Sequence, residues 1–310
     1  MKQVLPTRVN DFGFELEHED LVLLIGSCFS DEMKSRFQNE GFNVSSNPFG
    51  TLFHPIAIAN IVHSALTSNK NVDVLQRDDL YFSWDSASSI YSLEKSVLIE
   101  KVLKLRAKLK EDIINAKTIV FTFGTSIGYF NNGISLLVGN CHKMDSSLFY
   151  KRMVSTEEML EIWNDLIIEI KAVNPSVKIV LSVSPVRHVK DGLIENNRSK
   201  ARLIELVHSL NQTHYFPAYE LVNDELRDYR YFNEDLTHPN AQAVNYVWSK
   251  FRNSIYSTNA LTLGDEVLKL NQFLNHRSLH PDSLQDKKRL MSAEEKKRNL
   301  SKKHPSIYWT

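Results

Sequence analysis

Two short segments hold the residue types best suited to chemistry. The first is Gly26-Ser27-Cys28-Phe29, directly after the apolar run Leu-Val-Leu-Leu-Ile at 21–25. A hydroxyl at a strand-to-helix turn lies near the first N–H groups of the helix. Those donors and the helix dipole can stabilise a developing oxyanion, which suits Ser27 as a nucleophile. The same placement equally suits Ser27 as a plain helix N-cap. The second segment is Asp235-Leu236-Thr237-His238. Within one tight turn the carboxylate can orient the imidazole, and the ring can then accept a serine proton. Alternatively, Asp235 or Thr237 caps the following helix. Cys28 is a rival nucleophile at the same helix start, where a thiol pKa can fall, although free cysteines are commonly small buried hydrophobes.

These residues need elements to position them. The run at 21–25 reads as a buried parallel strand, followed by a helical pattern over 31–40 that Gly41 closes. A short extended segment begins at 42–44, Asn47-Pro48-Phe49-Gly50 reads as a turn, and 55–66 is helical with Pro55 in its first turn. Residues 78–91 read as a loop or short hairpin, 96–116 as a long amphipathic helix and 118–123 as the next buried strand. Asn131-Asn132-Gly133 between apolar flanks predicts a hairpin over 127–138. A helix capped by Ser155 or Thr156 is expected over 156–173, with a strand over 177–183 running into Ser184-Pro185. Helices over 197–211, 219–227 and 241–255 and a short strand over 214–216 complete the pattern. This alternation predicts a parallel, doubly wound sheet, an α/β fold with helices on both faces. Sites in such a sheet form at the carboxyl ends of the strands. Ser27-Cys28, Gly124-Thr125-Ser126 and Ser184 to His188 all fall there.

The motifs Gly26-Ser27-Cys28-Phe29-Ser30, Asn47-Pro48-Phe49-Gly50, Asn140-Cys141-His142-Lys143, Ser184-Pro185-Val186-Arg187-His188 and Asp235-Leu236-Thr237-His238-Pro239 occur in that order. Together they resemble the GSCFA family, a branch of the SGNH/GDSL hydrolase clan, over roughly residues 20–260. The resemblance implies a three-layer α/β/α, flavodoxin-like SGNH fold. It implies that Ser27 is the nucleophile of a triad with Asp235 and His238, and that the backbone N–H groups of Ser27 and Gly50 serve the oxyanion hole. The clan's third block, Gly-x-Asn-Asp, is represented here by Gly124-Thr125-Ser126-Ile127, so its Asn donor is missing. Loss of one such donor typically costs about 10²–10³ in rate. Asn140 with its amide, and His142 with its ring, are the candidates to stand in; either could instead satisfy loop backbone groups. His142, Arg187 and His188 are candidate substrate contacts, for an anionic or carbohydrate group. Arg187 has a structural alternative in pairing with Asp191 or Glu195.

Lys plus Arg and Asp plus Glu number 37 each, for a net charge of +0, which gives no electrostatic signature of nucleic acid or an anionic membrane. Two cysteines exclude a disulfide framework and a zinc-type cluster. The remaining histidines show no ligand spacing, so no metal and no cofactor are expected. The N-terminus lacks an apolar signal region and no run approaches a membrane span, which reads as cytoplasmic. Residues 1–260 are expected to form the hydrolase domain. The charged segment 261–310 is expected to be a solvated helical extension. The expected function is acyl-ester hydrolysis, deacetylase-like, on a glycan or small metabolite. The alternatives are acyl transfer, or non-catalytic glycan or metabolite binding on a decayed hydrolase fold.

Overall fold

The computed structural model describes residues 4–133, 136–276, 280–281 and 283–309. β1 (Leu21–Gly26) passes through Ser27 into α1 (Cys28–Asn39), and β2 (Val44–Ser46) follows. α2 (Pro55–Leu66) precedes a small antiparallel sheet of β3 (Val74–Arg77), β4 (Leu80–Ser83) and β5 (Tyr91–Ser92). α3 (Lys95–Asn115) runs directly into β6 (Ala116–Phe123). β7 (Ile127–Asn131) and β8 (Phe149–Met153) pair antiparallel. Next come α4 (Thr156–Val173), β9 (Lys178–Val183), α5 (Gly192–Ser209), β10 (His214–Phe216) and α6 (Ala218–Glu220), which continues as a wide π turn over Leu221–Leu226. α7 (Ala241–Ile255), α8 (Thr258–Asn275) and α9 (Leu284–Lys303) complete the described chain.

The central sheet has the order β2-β1-β6-β9-β10, with all four pairings parallel. Strands buried on both faces must be apolar at consecutive positions, and β1, β6 and β9 are. Their side chains alternate between two cores. Leu23, Ile25, Ile119, Phe121, Ile179 and Leu181 face α2, α3, α4 and α5. Val22, Leu24, Val120 and Val180 face α1, α7 and the residues after β10. This is the expected three-layer α/β/α arrangement. The chain steps from β1 outward to β2, then returns past β1 to β6. The crevice between the carboxyl ends of β1 and β6 is therefore the switch point where open α/β sheets hold their ligands. Ser27 follows one of these strands and Gly124 the other.

Three local expectations differ. The Asn131-Asn132-Gly133 turn does reverse the chain, but only an isolated bridge, Phe130 to Leu137, follows it. The full partner of β7 is β8, in register Ile127 to Met153 through Asn131 to Phe149. Residues 78–91 contribute to a three-stranded sheet, because Val74–Arg77, just upstream, supplies an edge for Leu80–Ser83. The charged C-terminal segment is less solvated than its composition suggests. Leu300 and Ile307 are buried with Val267, Ala293 is buried too, and the Tyr308 N–H donates to Gly41 O at 2.8 Å. Among the described residues no helix is long and apolar enough to cross a membrane.

Candidate active site

The turn after β1 is built around Gly26 and Ser27. The Gly26 N–H donates to Asn47 Oδ1 at 2.8 Å and the Ser27 N–H to Thr122 O of β6 at 3.1 Å. Ser27 is the N-cap of α1, and its hydroxyl accepts from the Phe29 N–H at 3.3 Å. The residue is 0 % exposed, and Ser27 makes no direct hydrogen bond to His238. One helical turn on, Asp31 organises the neighbouring loop. Its Oδ1 accepts from Ser46 Oγ at 3.0 Å and Asn47 Nδ2 at 2.9 Å, and its Oδ2 from Thr51 Oγ1 at 3.2 Å. Asp31 and Asn47 thus tie the serine turn to β2 and to the Asn47–Gly50 turn. The sequence signal for both was available: an acid in the first helical turn and an Asn before Pro48. Asp31→Ala removes three exposed charge-assisted hydrogen bonds. It is expected to cost about 1–2 kcal/mol, read as a lowered urea midpoint with unchanged slope; an unaltered midpoint would refute the positioning role.

Asp235 and His238 form a preassembled dyad. Asp235 Oδ1 accepts from the Thr237 N–H at 2.9 Å and the His238 N–H at 3.0 Å, with Leu236 at φ 58 closing the turn. Asp235 Oδ2 lies 2.6 Å from His238 Nδ1. The His238 and Thr237 backbone donors, then the ring itself, hold the Asp235 carboxyl well below the usual carboxylate range. An ionised carboxylate at that distance fixes the Nδ1–H tautomer, which leaves Nε2 as the basic nitrogen. Among the described residues His238 Nε2 has no hydrogen-bond partner, and the side chain is 47 % exposed.

Arg187 anchors this loop to the end of β9. Its backbone N–H donates to Thr237 O at 3.2 Å and its Nη1 to Leu236 O at 3.3 Å. Its guanidinium stacks 4.1 Å from the Phe232 ring centroid and 5.0 Å from that of Tyr229. Neither structural alternative for Arg187 occurs, since Asp191 pairs with Lys151 and Glu195 with Arg198.

The residues expected at the oxyanion hole are largely engaged elsewhere. The Ser27 N–H serves Thr122 O, and the Gly50 N–H donates to Asn47 O at 2.8 Å within its own turn. Asn140 Oδ1 accepts from Ser88 Oγ at 3.1 Å and the His142 N–H at 2.7 Å, and its Nδ2 has no partner among the described residues. Gly50 packs against Ala87 and Ser89, so the loop around Ser88 lies beside both Gly50 and Asn140. The third-block hydroxyls of Thr125 and Ser126 both bond Ser199 Oγ, at 3.1 and 3.2 Å, and so face the α5 side.

His142 lies within the scaffold around Ser83 and Ser88. It is 0 % exposed, its Nε2 donates to Ser83 O at 2.8 Å and its Nδ1 contacts Ser88 Oγ at 3.1 Å. With both nitrogens engaged and the ring packed against Phe82, it fastens loop to sheet.

His188 lies beside Gly124. Its ring meets Phe53 edge-on at 5.3 Å, its Nε2 is buried without a partner, and a Cβ on Gly124 would lie 3.0 Å from that nitrogen. Burial first, then the nearby charges of Lys200 and His238, pull His188 down to about 4, so its ring is neutral. His188 also lines a cleft of ≈ 330 Å³ with Phe53, Thr125, Tyr129, Gly139 and Lys190. The Cys28 thiol is pushed up by burial and then by Asp31, which argues against a thiolate nucleophile. Among the described residues no group of three or more His, Cys, Asp or Glu could hold a metal ion.

Residues 21–251 match the GSCFA family, and no curated protein matches the chain. Three solved structures are similar. A carbohydrate esterase family 3 protein from Talaromyces cellulolyticus is 8 % identical with a TM-score of 0.36, over 80 % of this chain and 99 % of that one. A mutant acetyl esterase with acetate ion is 9 % identical with a TM-score of 0.36, over 80 % and 99 %. The acetyl xylan esterase Est2A from the rumen bacterium Butyrivibrio proteoclasticus is 11 % identical with a TM-score of 0.33, over 80 % and 66 %. With its five ordered motifs inside a match that spans most of its length, the chain belongs to the GSCFA family.

Proposed function

We propose that the protein is a serine hydrolase of SGNH type that cleaves small acyl esters, with Ser27, His238 and Asp235 as its triad. The observation that carries the reading is the Asp235–His238 dyad: a carboxylate at 2.6 Å from Nδ1 of a half-exposed ring. In the reaction, Ser27 Oγ attacks the acyl carbonyl while His238 Nε2 takes the hydroxyl proton. The proton then passes to the departing alkoxide, and water attacks the acyl-serine through the same base. The resting Ser27 hydroxyl caps α1, so attack requires it to leave the Phe29 N–H and turn toward the dyad. Arg187, through its hold on the dyad loop, keeps His238 in place. His188 and the adjoining cleft receive the substrate, with Asn140 Nδ2 as an oxyanion donor. Acyl transfer would use the same acyl-serine with an alcohol in place of water.

The second reading, non-catalytic ligand binding at the same crevice, is favoured by one observation: Ser27 is fully buried and makes no hydrogen bond to His238. A fluorophosphonate probe separates the two. Labelling at Ser27, mapped by mass spectrometry and slowed at least tenfold in His238→Ala, is the expected result. No label at Ser27, with turnover of a short acyl ester indifferent to His238→Ala, would sink the hydrolase reading. Ligand binding that survives Ser27→Ala would then support the second.

A further inference from the structure

α5 buries one residue that its composition hides. Lys200 is 1 % exposed, yet its Nζ donates to Gly124 O at 2.6 Å and Ser184 O at 2.7 Å. These carbonyls terminate β6 and β9, the strands that carry the third-block segment and the Arg187-His188 loop. Among the described residues no carboxylate pairs with Lys200. The Tyr219 ring of α6 lies 5.9 Å from Nζ, and Cys28 of α1 and His188 beyond β9 are near enough to interact with its charge. A buried ammonium with carbonyl dipoles but no counter-ion is costly unless its charge has a use.

We propose that Lys200 is a positioning residue whose ammonium, fixed beneath the carboxyl ends of β6 and β9, supplies the positive charge that stabilises an anion at the Ser27 site. This rests on the ester-hydrolase reading, in which that anion is the tetrahedral oxyanion or the product carboxylate. The fold has lost the side-chain donor of the third block, and Thr125 and Ser126 do not replace it. A fixed charge under Gly124 compensates from below, through space, without touching the substrate. Burial pulls Lys200 down to about 7, so the charge is present below that pH and fades as pH rises through it.

The test uses the full chain, Lys200→Gln and Lys200→Met, with p-nitrophenyl acetate as ester, from pH 5.5 to 9.5. In the unaltered protein kcat should fall above about pH 7 with KM little changed. Both variants should lose about ten- to hundredfold in kcat at pH 6 and show no alkaline fall. A purely structural tie to the two carbonyls would be kept by the Gln amide, so a Gln variant with full kcat overturns the proposal. Lys200→Met leaves both buried carbonyls without a donor and should unfold at a lower temperature, whereas Lys200→Gln keeps a donor, so a loss of kcat in Lys200→Gln without a matching loss in unfolding temperature separates loss of charge from loss of fold. Should neither variant fold, absence of the alkaline fall in the unaltered chain overturns it alone.

A second measurement distinguishes failure of this inference from failure of the hydrolase reading. Acetate is titrated while the imidazole NMR signals of His188 and His238 are followed. Acetate binding at pH 6 that is weakened at least tenfold at pH 9 and in Lys200→Gln supports the Lys200 charge even if no ester is turned over and Ser27 is never labelled. No acetate binding, or equal binding to Lys200→Gln, overturns it.

Discussion

Gly26→Ala is expected to cost more than about 4 kcal/mol, most of the stability of an ordinary domain. Gly26 has φ +146, and a Cβ there would lie 2.2 Å from Thr122 O and 2.9 Å from the Thr122 N and C atoms. None of these atoms can yield. Thr122 lies in β6, which is paired to β1 on one side and to β9 on the other. The Gly26 N–H is also held by Asn47 and the next N–H by Thr122, so the turn cannot swing away without losing both. Gly13→Ala is the matched control. Gly13 has φ +70 with nothing within 4 Å of the added Cβ, so that substitution should cost only the backbone penalty of about 1–2 kcal/mol. Urea unfolding of the two variants measures the difference. A Gly26→Ala protein with the midpoint of Gly13→Ala would show that β1 can move relative to β6, and that the serine turn is looser than these contacts require.

The parts of the molecule legible in the sequence are those whose determinants are local. β1, β6 and β9 hold short apolar runs, Leu21–Ile25, Ile119–Phe121 and Ile179–Leu181, and such runs have few other solutions than a buried parallel strand. α2 and α4 begin at caps the chain announces: Pro55 in the first turn and Ser155 at the N-cap. α7 is capped by Asn240, not by the Asp235 or Thr237 that the sequence offered as alternatives. The dyad is legible for the same reason, since Asp235 and His238 need only one turn to meet. What could not be read depends on partners far along the chain. β7 finds β8 across the loop that Asn131-Asn132-Gly133 begins, and nothing in either strand specifies the other. His142 reads as a reactive histidine until Phe82, Ser83 and Ser88, more than fifty residues earlier, are seen to enclose it. Lys200 did leave a trace. Asn196, Ser199, Lys200, Leu203, Leu206 and Val207 are the buried positions of α5, and they follow helical spacing. A lysine on that stripe is either misplaced or used. The relation of Ser27 to His238 was the least legible of all. It depends on how a loop after α6 is moored to the end of β9, and that mooring runs through Arg187.

Acidification from pH 6.5 to 4 is expected to remove about 3 kcal/mol of stability through His54. His54 is buried at the N-cap of α2. Its Nδ1 accepts from the Ile56 N–H at 3.1 Å, so the ring proton is on Nε2, which donates to Ser126 O at 3.2 Å. Protonation at Nδ1 would break the cap and bury a cation, and burial accordingly lowers the group from 6.5 to about 4. The unfolded chain takes up this proton below pH 6.5, and the folded chain resists until about pH 4. The contribution is therefore complete above pH 6.5 and is lost as pH falls through that window. His188, also lowered to about 4, adds to the same limb. Glu40 and Asp85, raised by burial, act in the opposite sense, so the raw pH dependence mixes several groups. The difference between unaltered protein and His54→Asn isolates the one of interest. Asn keeps an oxygen to cap Ile56 and cannot titrate. Its unfolding free energy should fall by about 3 kcal/mol less than that of the unaltered protein between pH 7.5 and 4.5. Parallel losses in the two proteins would mean that His54 is already protonated in the fold, and that Ile56 is capped by something other than an imidazole lone pair.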